Sequence, residues 1–118
     1  MVRTLSEEIR QAVPFERPEE EAFVSISRTA AVLGHALGEA LKPFGITATQ
    51  YNVLRILRGA GKTGLCRNDI RDRLIAQVPD VTRLLDRMEA AGLVARERGA
   101  DDRRLVTTTI TPSGLSPS

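Results

Sequence analysis

The sequence predicts a mostly α-helical chain with a small antiparallel β-wing, and three observations carry that expectation. Apolar residues recur at helical spacing through most of the first ninety residues. Residues 81–111 read as one helix, a glycine stop at Gly92 and then a two-stranded ribbon. The tip of that ribbon carries Asp102-Arg103-Arg104. A helix followed at once by a basic hairpin is the layout of a winged helix-turn-helix, here preceded by a long N-terminal helix of dimerisation type. In that layout one element enters a major groove while its neighbour reaches the backbone or the minor groove.

The chain has 118 residues, enough for one modest core. Trp is absent and aromatics make up 3%, so the core must come from Leu, Ile, Val and Ala. No apolar run is long enough to span a bilayer, and no basic start precedes an apolar segment, so neither a membrane span nor a secretory signal is expected. The single cysteine has no partner for an internal disulfide, which fits a reducing compartment. The net charge of +2 says less than its distribution. Residues 1–24 hold three Arg against six Glu, residues 25–66 hold five basic groups against Glu39, and residues 67–118 hold nine Arg against eight acids. Arginine thus supplies all the positive charge of the last segment, and its planar fork suits phosphate and guanine. Taken alone, the same count also fits a mixed, solvated surface.

Taken in order, the elements begin with Thr4 and Glu7, which are spaced for a capping box on a short helix over Leu5–Val13, ended by Pro14. Pro18 suits the first turn of a second helix, with Glu19, Glu20 and Glu21 at its positive end. That helix should run to about Leu41. Phe23, Ile26, Ala30, Leu33, Leu37 and Ala40 form a heptad seam along it, either a dimer seam or a core-facing stripe. Gly34 and Gly38, four apart, would permit close approach of another backbone. Lys42-Pro43-Phe44-Gly45 breaks the helix. Thr47 and Gln50 repeat the capping-box spacing before a helix over about Ala48–Arg58, expected to bury Tyr51, Leu54 and Leu57 with Val53 alongside. Gly59 to Gly64 reads as a loop. A helix from about Arg67 to Ile75 should face Ile70 and Leu74 inward, and Ala76-Gln77-Val78 make the turn. Pro79 starts a helix that Gly92 terminates. Leu93–Arg98 and Leu105–Ile110 are the ribbon strands, the second rich in β-branched residues. The expected organisation is a helical segment over residues 1–46, a winged helix over 47–112, and the start of another helix over 113–118.

The candidate interface sits on the Pro79–Ala91 helix and the ribbon behind it. Val81, Leu84, Leu85 and Met88 share one buried face, leaving Asp80, Thr82, Arg83, Asp86 and Arg87 on the other. Arg83 and Arg87 are one turn apart and point the same way. A groove-bound helix reads bases from its N-terminal half. Arg83 is therefore placed for a base edge, Thr82 for a base or a phosphate, and Arg87 for a phosphate. Gly99–Arg104 forms the wing. Asp102 is spaced to hold Arg104 extended, with Arg103 beside it, and arginine in a narrow minor groove meets enhanced negative potential. Arg96 and Arg98, on the first strand, are expected on flanking phosphates. The plainer readings are surface charges on an amphipathic helix and an Asp102–Arg104 pair that closes a hairpin.

Other motifs carry less. Gly61-Lys62-Thr63 resembles the end of a phosphate loop, but Ile56 stands where the pattern needs glycine. Cys66 precedes the Arg67 helix, where a helix N-terminus can lower a thiol pKa, yet a plain structural cysteine is the better reading. His35 is alone, so no metal site is expected. Nothing assembles a nucleophile, a base and an orienting group, so no enzyme and no cofactor are expected.

With these residues in view, the chain resembles the MarR family of bacterial regulators from about Thr47 to Gly114. Thr47-x-x-Gln50-Tyr51-x-Val53-Leu54 is similar to the family's second helix. Val81-Thr82-Arg83-Leu84-Leu85-Asp86-Arg87-Met88-Glu89 with Gly92-Leu93-Val94 resembles its recognition helix and strand. Asp102-Arg103-Arg104 and Ile110-Thr111-Pro112-x-Gly114 resemble its wing and the start of its next helix. The resemblance implies a cytoplasmic, homodimeric transcription factor that binds double-stranded DNA at a pseudo-palindromic operator. Many members are repressors released by a small aromatic or phenolic ligand. Family members continue after the Thr-Pro with long helices that pair with the first helix, and Ser118 falls where the first of these begins. A lone winged helix would touch one half-site and bind weakly. The competing expectation is an interaction module that pairs with a full-length relative and does not bind DNA strongly itself.

Overall fold

A computed structural model describes residues 3–99 and 105–115. Its backbone forms two compact units, residues 1–39 and residues 40–118. The division falls earlier than the break at Lys42–Gly45, because Leu41 and Ile46 are buried with the core of the second unit.

The first unit holds α1 (Leu5–Glu8) and most of α2 (Pro18–Leu41). Thr4 caps α1 by accepting from the backbone N–H of Glu7 at 3.3 Å. The expected helix to Val13 stops at Glu8. It buries no residue, and a short helix without tertiary packing is marginal. Arg10 then takes a left-handed conformation at φ 57°, which ends any helical path. In α2 the seam is not core-facing, since Phe23 and Ile26 are each 70% exposed and Leu33 is 64% exposed.

The second unit is built on α3 (Ala48–Ala60), α4 (Arg67–Arg73) and α5 (Val81–Ala90), with a three-stranded antiparallel sheet and the short α6 (Pro112–Leu115). The Thr47–Gln50 capping box is complete. The Thr47 hydroxyl accepts from the Gln50 N–H at 3.1 Å, and the Gln50 side chain accepts from the Thr47 N–H at 3.0 Å. α3 runs two residues past the expected end, and Gly61–Thr63 form a 3₁₀ turn where a loop was expected. Val53, Leu54, Ile56 and Leu57 face the core. Tyr51, expected inside, is 40% exposed, whereas its neighbour Asn52 is buried. α4 ends at Arg73 rather than Ile75, so Leu74 packs on the core while Ile75 is 84% exposed.

Val81, Leu85 and Met88 of α5 are buried as their spacing predicts, with Leu84 half-buried against the core. The helix begins two residues later than expected. Pro79 lies outside it, and Asp80 is the N-cap, accepting from the Arg83 N–H at 3.0 Å. Gly92, at φ 78°, closes the C-terminus. Its N–H donates to the Glu89 carbonyl at 2.9 Å, and the Leu93 N–H donates to the Met88 carbonyl at 3.0 Å. This paired pattern is the Schellman motif, which needs a left-handed residue at that point.

The sheet has one strand more than the expected ribbon. β2 (Val94–Arg98) and β3 (Val106–Ile110) pair in register, Arg96 opposite Thr108, while β1 (Leu65–Cys66) covers the other edge of β3. With two residues, β1 offers no alternation to read. Thr108, in the central strand, is 1% exposed. Each fully buried aliphatic side chain here (Leu57, Ile70, Leu85) contributes roughly 1.5–3 kcal/mol of transfer free energy.

Candidate nucleic-acid interface

α5 divides its residues cleanly. One face enters the core with Val81, Leu85 and Met88, and the opposite face exposes Arg83 and Arg87 one turn apart. Thr82 lies half-buried beside them, and its hydroxyl accepts from Nη1 of Arg67 at 2.9 Å. That bond joins the first residue of α4 to the first turn of α5. Asp80, expected on the binding surface, uses its carboxylate as the helix cap.

Sequence reasoning missed Arg67 and Arg71. They are four apart on α4 and line, with Pro79, Asp80 and Thr82, a cleft of about 180 Å³ at the mouth of the helix-turn-helix. Arg71 also lies 3.6 Å from Asp72. The available signal was their i, i+4 spacing on the helix preceding the turn.

On the wing, Arg96 points back to α5 rather than outward. Its Nη2 lies 2.7 Å from Asp86 Oδ1 and 2.7 Å from Glu89 Oε1, and its side chain is 23% exposed. The guanidinium hydrogen-bonded to Glu89 holds that carboxyl below the usual glutamate value, and the same contact raises Arg96 above the usual arginine value. Arg98 is exposed at the end of β2, opposite Val106. The Gly99 N–H donates to the Leu105 carbonyl at 2.7 Å and so closes the base of the hairpin. Asp102, Arg103 and Arg104, the expected wing tip, lie outside the described residues. A cleft of about 380 Å³ opens between α5 and the sheet, with Arg67, Thr82, Leu85, Arg96 and Val106 among its walls.

Cys66 occupies the position before α4, and its thiol donates to Asp69 Oδ2 at 3.2 Å instead of capping the helix. No group of three or more His, Cys, Asp or Glu residues among the described ones is arranged to hold a metal ion. Among the described residues, no helix is long and apolar enough to cross a membrane.

Known proteins share this arrangement. A model of the MarR family matches residues 44–105. The uncharacterized HTH-type transcriptional regulator YwoH of Bacillus subtilis (strain 168) is 35% identical over 85 residues, covering 71% of this chain and 61% of that protein. The multiple antibiotic resistance protein MarR of Salmonella typhimurium is 35% identical over 80 residues, covering 68% of this chain and 54% of that protein. The chain therefore spans less than two thirds of these relatives. Among solved structures, a MarR transcription factor from Planctomyces limnophilus superposes with a TM-score of 0.70 at 37% identity, covering 86% of this chain and 73% of that one. The S. aureus MepR–DNA complex superposes at 0.68 with 30% identity, covering 85% and 71%. The helix closed by Gly92, the two-stranded ribbon behind it and these matches lead to one conclusion: the chain belongs to the MarR family.

Proposed function

We propose that this protein is a sequence-specific DNA-binding transcriptional regulator, a repressor, with no enzymatic activity. In this reading α5, within the expected Pro79–Ala91 segment, enters the major groove, and the Gly99–Arg104 wing reaches the minor groove. The observation that carries it is the exposure of Arg83 and Arg87 on one side of a helix whose other side is anchored in the core. A helix held this way fixes the backbone positions from which the two arginine side chains reach outward, which suits base and phosphate recognition. Arg83 reads a base edge, Thr82 meets a base or a phosphate, Arg87 meets a phosphate, and Arg98, Asp102, Arg103 and Arg104 serve the wing. Arg67 and Arg71 add phosphate contacts from α4. Asp80 acts through the helix start. The MepR relative solved with DNA supports the same partner.

The protein acts in the cytoplasm as a homodimer on a pseudo-palindromic operator, and a small aromatic effector releases it, as the family resemblance implies. The exposed stripe of Phe23, Ile26 and Leu33 on α2 supports a partner helix there. The same stripe favours a second reading, in which the chain pairs with a full-length relative and weakens that relative's DNA binding.

A gel shift on the region upstream of its own gene, with solution mass measured on the same sample, tests both. The first reading expects a self-paired species that shifts the fragment. Arg83→Ala should lose about 1–3 kcal/mol of discrimination, and affinity should fall steeply with salt. Co-purification with a larger relative and no shift would replace it with the second.

A further inference from the structure

α5 and β2 meet at a corner made by Ala91, Gly92 and Leu93. The backbone bonds of Gly92 and Leu93 to α5, and the hydrogen bonds that Thr111 donates to the Gly92 and Leu93 carbonyls, hold the turn itself, and a side chain that also spans the corner stiffens it further. Arg96 spans it. Asp86 and Glu89, three apart on α5, present their carboxylates to one guanidinium, with both contacts at 2.7 Å. Nε of Arg96 also donates to Glu89 Oε1 at 3.3 Å, and its backbone N–H donates to Glu89 Oε2 at 3.3 Å. The side chain and the strand backbone are thus both tied to the helix. Across the sheet, Arg96 pairs with Thr108, which is 1% exposed, so this point of β2 is anchored on its other side too.

We propose that Arg96 is a positioning residue that fixes the angle between the recognition helix and the wing and does not itself touch DNA. This rests on the DNA-binding reading above. To reach a phosphate, the guanidinium would have to abandon two carboxylates and leave both facing a polyanion. Kept in place, it neutralises part of their charge and sets how β2 lies relative to Arg83. Arg96 therefore acts on affinity through geometry, whereas Arg83 and Arg87 act through contact.

The test compares Arg96→Gln, Glu89→Arg, Arg96→Glu and the exchange variant carrying both Glu89→Arg and Arg96→Glu. Each is titrated against a duplex of the upstream region at several salt concentrations. Amide exchange of β2 is measured on the free proteins. Arg96→Gln should weaken binding about tenfold while the slope of log affinity against log salt stays unchanged. The exchange variant should recover most of the loss suffered by either single variant, and Arg96→Gln should speed amide exchange across Ala95–Arg98. A salt slope reduced by about one in Arg96→Gln would identify a phosphate contact and overturn the proposal. An exchange variant no better than its singles would overturn it as well. Should the unaltered chain bind no duplex, the DNA-binding reading fails by itself. The strut is then decided by amide exchange, where unchanged protection of β2 in Arg96→Gln rejects it.

Discussion

The side-chain carbonyl of Asn52, inside α3, accepts a hydrogen bond from the backbone N–H of Ile75 at 2.9 Å. The bond straps the turn between α4 and α5 to the core helix. The Asn52 amide nitrogen is buried with no hydrogen-bond partner among the described residues. One end of the side chain therefore stabilises the turn, and the other costs free energy.

Magnitudes decide what its removal does. A net hydrogen bond is worth roughly 0.5–1.5 kcal/mol, and an unsatisfied buried polar group costs about 1–3 kcal/mol. Asn52→Leu deletes both, so global stability in urea should change by no more than about 1 kcal/mol. The loss should appear locally, as faster exchange of the Ile75 amide. A large global destabilisation would show that Asn52 holds more than the turn.

Gly114 has no room for a side chain. A Cβ there would run into the backbone carbonyl of Leu93 and approach Ile110 Cγ1 at 2.9 Å and Leu54 Cδ2 at 3.1 Å. Gly114→Ala must displace backbone rather than a flexible tip, and should cost about 1–3 kcal/mol, read as a lower urea midpoint. Neutral behaviour would mean that α6 does not pack against Leu93 in solution.

Asp80 separates capping from binding. Asp80→Ala should lose about 1 kcal/mol of stability, because the Arg83 N–H loses its acceptor. Asp80→Ser keeps an N-cap oxygen and removes a negative charge from the helix end proposed to face the groove, so stability should hold while DNA affinity rises. Lower affinity in the serine variant would assign Asp80 a direct contact with the duplex.

The Glu89 carboxyl is held below its ordinary value of 4.5 by its hydrogen bond to Arg96. A depressed folded-state pKa means that folding favours the ionised form. The stabilising contribution is therefore present above pH 4.5 and is lost as pH falls below that value through the lower folded pKa. The gap in Tm between the unaltered chain and Glu89→Gln should close as pH drops through this window. A gap that stays constant with pH would show that the ion pair does not persist in solution.

Much of the fold was legible because it follows from local chemistry. The capping box at Thr47 and Gln50, the buried stripe Val81, Leu85 and Met88, and the left-handed stop at Gly92 depend on residues within one or two turns of each other. The short strand β1 was not legible, since two residues gain their identity from pairing with Thr107 and Thr108, more than forty positions away. The exposure of Tyr51 and the burial of Asn52 were not legible either. Apolar spacing places Tyr51 inside with Leu54 and Leu57, whereas Asn52 is buried where it accepts from the Ile75 N–H, twenty-three positions away.

The candidate site divides in the same way. That Arg83 and Arg87 share an exposed face is a property of helical period, and the sequence settles it. That Arg96 turns inward could not be read from its neighbours on the strand. Its partners, Asp86 and Glu89, come within reach only after the Gly92 corner folds β2 back along α5. Periodicity and capping are short-range and are written along the chain. The direction a long charged side chain takes is decided by which opposite charges the finished fold brings to it.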